Sequence, residues 1–425
     1  MGFSPDSGSS SVRSRSSWVR SCPHCASRIR EVFDFFRAPL GRRAFLGGAA
    51  ATVAVVATAC TRDGGTAETR ADGPTFEYSP AAGKKIGPRD TVSVRVRGGT
   101  FRPGVALTNT QSGKKVELTA SPDGVTYSTA EPLGFGATYR WSGTADGEGG
   151  TFSRLDGEVS VVSPDATMSV QINIADDAEV GIAAPLILKF AGTVQDKAAV
   201  EKALEVTTTP HTEGAWAWLP EDNGSRAHWR PREYYTPGTK VTMTGKLYGL
   251  DHGDGKYGAS DVTSSFVVGR SQIVKASAPS HRIRVMRGDQ VYLDLPCSYG
   301  EGDLPRNVTR SGIHVVSEKH EDFYMSNPAA GYFNVHERYA VRISNNGEFI
   351  HANPQTVGNQ GASNVTNGCI NLSLADAQRY FQSALFGDPV EVTGTSIQLS
   401  EADGDIYDWT LDWPTWQSMS ALSKN

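Results

Sequence analysis

The chain has 425 residues, 38% of them hydrophobic, with 41 Lys+Arg against 46 Asp+Glu for a formal net charge of −5. That length exceeds one compact domain and suits two or three. The first 59 residues hold eight Arg and three acidic residues, so the remaining 366 carry −10, and a nucleic-acid partner is disfavoured.

The N-terminal sixty residues read as an address. Arg42-Arg43-Ala44-Phe45-Leu46 opens a small, apolar stretch that runs to Ala59 and is short for a membrane span. The paired arginines resemble the twin-arginine export signature, which a receptor reads. The stretch ends Val55-Val56-Ala57-Thr58-Ala59-Cys60, which resembles a bacterial lipobox and implies cleavage before Cys60 and lipidation of its thiol. Such an anchor would place the protein in the cell envelope, on the outer face of the cytoplasmic membrane. The alternative is a soluble exported protein cut at Ala57-Thr58-Ala59. Upstream, Cys22-Pro23-His24-Cys25 matches C-x-x-C, but no βαβ pattern or second pair accompanies it. Residues 1–40 read better as a long n-region, or as a start placed too early.

Residues 60–74 are polar and Gly/Thr-rich, a flexible tether. Beyond them period-two alternation recurs, as in Thr91–Val96, Ser169–Ile174 and Lys240–Thr244, and predicts half-buried strands. The fold class is therefore mainly β. Polar links near 163–167 and 269–271 divide it into two immunoglobulin-like sandwiches, 75–163 and 168–269, and a third unit at 271–397. The second sandwich contains one helix candidate, Val194–Leu204, and a patch of Trp216, Trp218 and Trp229 that fills a core or stacks on sugar. Residues 398–425 form a tail in which Trp409, Trp413 and Trp416 fall at i, i+4 and i+7, a spacing that docks it onto the third unit.

Several motif matches carry no chemistry. Gly253-Asp254-Gly255-Lys256-Tyr257-Gly258 fits G-x-G-x-x-G but leads into a strand, with no helix N-terminus to receive a phosphate. Asp251 and Asp254 lack calcium-loop spacing. Ser112-Gly113-Lys114-Lys115 fits S-x-x-K, yet looks like a hairpin tip without the companion motifs. No H-E-x-x-H occurs, and neither metal nor cofactor is expected.

The informative segment runs from Phe349 to Asn371. Tyr339–Ile343 and Glu348–Ile350 read as a hairpin across Ser344-Asn345-Asn346-Gly347, which ends at His351. A polar loop then leads to Asn367-Gly368-Cys369, and Ser373 with Asp376 caps a helix whose apolar stripe is Ala377, Phe381, Ala384 and Leu385. A Cys after Gly in a tight loop offers a nucleophile beside exposed amides, and a His on a neighbouring strand can draw off the thiol proton. The amides of Asn367, Gly368 and Cys369 can hold an oxyanion. Read without context, the pair is an inert Cys and a solvent-facing His.

The spacing resembles the L,D-transpeptidase (YkuD) signature: His, fourteen to seventeen residues, then Ser/Thr-His-Gly-Cys-hydrophobic-Asn. Here fourteen residues separate His351 from Thr366, and Thr366, Gly368, Cys369, Ile370 and Asn371 match. The resemblance extends over 271–425, and the preceding modules resemble the paired immunoglobulin-like domains of multi-domain members. It implies a Cys369 thioester, His351 as base oriented by the carbonyl of Ala352, and Thr366 and Asn371 as supporting residues. It also implies donor and acceptor peptidoglycan stem peptides as partners, 3→3 cross-links with release of D-Ala, and acylation by carbapenems. Asn367 replaces the family's usual His, a change that leaves main-chain donors in place.

Met325, Tyr332 and Phe333 lie where relatives carry a lid, which implies substrate contact; core packing is the equal alternative. Cys297 reads as a packing thiol. A papain- or NlpC-type peptidase would place Cys before His, whereas His351 comes eighteen residues before Cys369. An L,D-carboxypeptidase and an impaired, lipid-anchored wall-binding protein remain as alternatives.

Overall fold

The computed structural model describes residues 73–423 apart from 82, 221–223 and 405. The export segment, the lipobox at Cys60, the C-x-x-C pair and nearly all of the tether lie outside the described residues.

The first sandwich packs a sheet of Thr75–Ser79, Ser93–Arg97, Thr126–Thr129 and Leu118–Ala120 against a larger one built on the long hairpin Thr138–Gly147/Phe152–Val161. Alternation explains the layers: in Ser93–Arg97, Val94 and Val96 are buried and Arg95 and Arg97 exposed, and Trp141 and Leu107 fill the space between. The second sandwich pairs Leu186–Phe190, Arg226–Pro231 and Gly214–Trp218 in one sheet, and Val262–Val268, Lys240–Gly245 and Leu204–Thr209 in the other. Trp216, Trp218 and Trp229 are all in its core, so they present no sugar-stacking surface. The expected helix is shorter than the pattern suggested. It spans Lys197–Lys202, because Asp196 caps it through Ala199 N at 2.9 Å and Leu204 already begins a strand. At 253–255 the backbone turns through positive φ before the strand pair Tyr257–Gly258, as expected of a turn.

The third domain has two sheets. One orders Gln290–Pro296, Arg282–Arg287, Ile273–Ser277, Pro389–Thr393 and Gly312–Val315; the other orders Glu318–Asn327, Tyr332–Arg342, Phe349–Ala352 and Ile370–Leu372. Their shared core includes Val274, Ile283, Tyr299, Val341, Ile350 and Tyr380. Cys297 is fully buried there, and burial pushes its thiol up to about 12, which makes it a packing group. The helix Leu374–Ser383 starts where expected, since Ser373 Oγ accepts from Asp376 N at 3.1 Å. Its buried face is Ala377, Tyr380 and Ser383, with Phe381 half-buried beside them.

Domain two and the third domain are tied together. Arg270 donates to the fully buried Asp388 at 2.9 and 2.7 Å, and Gly181 N and Ala183 N donate to the carbonyls of Phe386 and Gly387 at 2.7 and 2.8 Å. The tail departs from expectation: it packs on the third domain as far as the turn Asp408–Thr410, with Leu399 N donating to Ser311 O at 2.7 Å and Arg310 paired with Asp403 at 2.9 Å, but not through its last helix. Its tryptophans belong to the second sandwich. Trp409, Trp413 and Trp416 surround the Arg230 guanidinium at 4.6, 5.4 and 4.7 Å, and Trp416 Nε1 donates to Ala215 O at 2.9 Å. Their spacing is not one helix, because Trp409 lies in a separate short turn, Asp408–Thr410, before the helix Trp413–Ser418.

Candidate active site

Two adjacent strands and one loop build the site. Phe349–Ala352 runs antiparallel to Tyr332–Arg342 and parallel to Ile370–Leu372, with His351 opposite Asn371. Because side chains alternate, Phe349 and His351 share a face with Cys369 and Asn371, while Ile350, Ala352 and Ile370 enter the core. The turn before the strand ends at Gly347, φ 95°, and its carbonyl accepts the Cys369 thiol at 3.5 Å.

The loop before Cys369 is held by main chain and hydroxyls. Thr309 Oγ1 donates to Gly368 O at 2.7 Å, and Thr366 Oγ1 donates to Cys369 O at 2.6 Å. Gly368 has φ 118°, a conformation that a residue with a Cβ resists. Its N–H donates to Thr366 Oγ1 at 3.2 Å, so the Gly368 amide expected in the oxyanion set is already engaged. Asn371 is buried with its main chain bonded to Ser298 at 3.0 and 2.8 Å, which anchors the loop, and it lines the smaller cavity beside His351.

His351 is buried with its Nδ1 3.0 Å from Ala352 O. The same nitrogen lies 3.2 Å from Glu337 Oε2. Two acceptors at Nδ1 require the proton there, which leaves Nε2 as the nitrogen available to another group. Burial opposes the charged ring, but hydrogen bonds and attraction to Cys369 and Glu337 outweigh it and raise His351 to about 10.

Cavities open on both sides of Cys369, about 570 and 230 Å³. The larger is lined by Arg306, Arg342 and Phe349, the smaller by Glu337, His351 and Gln355; Cys369, Asn367, Met325 and Tyr332 line both. Burial, with the neighbouring Cys369 charge, pushes the Tyr332 phenol up. Phe333 departs from expectation, since it is 79% exposed at the tip of the hairpin and lines neither cavity. Glu337, Arg306 and the carbonyl of Gly347 escaped the sequence reading, because nothing in period-two alternation marks them.

A thiol and a buried imidazole lie together where two cavities meet, on a β domain carried behind sandwich modules, and mark the candidate site. The family described as "L,D-transpeptidase catalytic domain" (YkuD) matches residues 271–392, and "Bacterial Ig domain" matches 83–251, across both sandwiches. L,D-transpeptidase 5 of Mycobacterium tuberculosis is 57% identical over 351 residues, covering 82% of this chain and 77% of its own. L,D-transpeptidase 2 of the same species is 32% identical, covering 73% and 76%. A solved L,D-transpeptidase in complex with imipenem is 29% identical, covers 54% of this chain and 100% of its own, and has a TM-score of 0.45. This chain belongs to the L,D-transpeptidase family. It is an L,D-transpeptidase enzyme with a YkuD catalytic domain.

Proposed function

We propose that Cys369 is the acyl carrier of this transpeptidase and forms 3→3 cross-links through a thioester. The observation that carries the reading is the position of Cys369 between two cavities with the buried His351 behind it. In the first half, Sγ bonds to the carbonyl carbon of the third residue of a donor tetrapeptide stem. The amide to the terminal D-Ala breaks, and His351 passes the thiol proton to the departing amine. In the second half, the side-chain amine of another stem attacks the thioester and loses a proton to His351, and the thiol is released. The amides of Asn367 and Cys369 are left to receive the oxyanion of each tetrahedral intermediate.

Two cavities favour separate seats for donor and acceptor, and so favour an amine acceptor over the water that a carboxypeptidase would use. Arg306 suits the larger cavity to an anionic stem carboxylate, while Arg342 beside it is held by Glu318 at 3.1 Å. A β-lactam carbonyl is an acyl donor of the same kind, so carbapenems acylate Cys369. Lipidation at Cys60 and export through Arg42-Arg43 would hold the enzyme at the outer face of the cytoplasmic membrane, with the two sandwiches as spacers.

The test is incubation of the folded protein with a carbapenem, followed by intact mass and peptide mapping. An adduct on Cys369 is expected. A folded protein that stays unmodified would favour the wall-binding alternative. Muropeptide products from tetrapeptide substrates then separate transfer from hydrolysis.

A further inference from the structure

We infer that Glu337 is a positioning residue for the cysteine–histidine pair, so that this chain uses a Cys369–His351–Glu337 array; the inference rests on the acyl-carrier reading above. The argument begins with strand register. Between Tyr332–Arg342 and Phe349–Ala352, Val341 faces Ile350 but Arg338 faces Ala352. Three steps on one strand therefore match two on the other, which is one extra residue, a β-bulge. Tyr339 sits in it at φ 54°, unusual for a residue with a Cβ.

A one-residue slip exchanges the faces of a strand. On the turn side of the bulge, Ala340 joins Phe349 and Met325 on the site face, and Val341 enters the core. Without the bulge, odd-numbered residues would keep facing the core. With it, Glu337 and Val335 turn into the smaller cavity beside His351. The bulge is what brings the carboxylate to Nδ1 at 3.2 Å.

The surroundings leave that charge for the histidine. Glu337 is 13% exposed at its side chain, and among the described residues it pairs with no Lys or Arg. Its neighbour Arg338 is engaged by Glu321 and Asp322 at 3.0 and 3.1 Å. The titratable groups facing His351 are Glu337 from its partner strand and Cys369 from the loop, with the Tyr332 phenol beyond Cys369. A carbonyl alone orients an imidazole, whereas a carboxylate also stabilises the imidazolium. The charged ring is the form that donates a proton to a departing nitrogen, so Glu337 governs how far into alkali the enzyme keeps working.

The experiment measures the second-order rate of carbapenem acylation against pH for wild type, Glu337→Gln and Glu321→Gln. Glutamine keeps an acceptor for Nδ1 and removes the charge. Glu321, on the strand Glu318–Asn327, is paired with Arg338 rather than with His351. The alkaline limb is expected to fall by about one pH unit or more in Glu337→Gln, as for loss of an opposite charge within hydrogen-bond reach, and to stay in place in Glu321→Gln. An unshifted limb in folded Glu337→Gln overturns the inference, as do equal shifts in both variants. If Glu337→Gln does not fold, the ring nitrogens of His351 are titrated by NMR in the intact wild type. Nδ1 protonated throughout, with ring ionisation well above the ordinary histidine range, supports the inference; a neutral ring near neutrality overturns it. A wild type unacylated at Cys369 would instead remove the acyl-carrier reading, leaving the two failures distinct.

Discussion

The second sandwich and the catalytic domain each bury a histidine against a carboxylate, to opposite ends. His228 Nδ1 lies 2.9 and 3.0 Å from the two oxygens of Asp408, both residues are wholly buried, and its Nε2 has no hydrogen-bond partner among the described residues. His351 Nδ1 lies 3.2 Å from Glu337, but the ring also interacts with Cys369, where two cavities join. A buried pair is therefore not chemistry by itself. The first fastens the tail to the second sandwich beside the Arg230–tryptophan cluster; the second has a thiol beside it and cavities open to a ligand.

That contrast can be broken or sharpened by substitution. The largest expected effect is Cys369→Ala, which abolishes carbapenem adducts and 3→3 products and leaves the melting temperature near wild type. Persisting 3→3 product would sink the assignment. His351→Gln is expected to lower the acylation rate by about 10²–10⁴-fold, the usual contribution of a positioned proton carrier. In the wild type the rate should fall as pH rises through about 10, because His351 then loses the proton that the leaving nitrogen needs. Asp408→Ala should act on stability, removing about 3–5 kcal/mol in denaturant titration by stranding His228, with acylation intact where the protein is folded. A folded but inactive Asp408→Ala would erase the distinction between the two pairs. Thr366→Val removes the hydroxyl that bonds Cys369 O and Gly368 N, with a rate loss of about tenfold expected from a misplaced loop. Cys297→Ala should be mildest, about 1 kcal/mol in stability with one adduct per chain still seen by mass.

Much of the site was legible because its residues are close in sequence. His351, Thr366 and Cys369 fall within one hairpin and one loop, where turn residues and alternation set direction. The phenol of Tyr332 and the thioether of Met325 were placed beside the site only through a resemblance, and Phe333, next to Tyr332, proved to point away. The helix Lys197–Lys202 came out shorter than its pattern because a cap and a following strand, not propensity, set its ends.

Composition, alternation and one short motif pointed to the mainly β class, the sandwich modules, the thiol that packs and the thiol proposed to react. Tertiary structure alone decided what covers what. Only packing could send the tryptophans to Arg230 on the second sandwich, because their spacing reports a pattern and not its partner. Only strand pairing could reveal Glu337, since a single bulged residue reverses the face of every side chain beyond it.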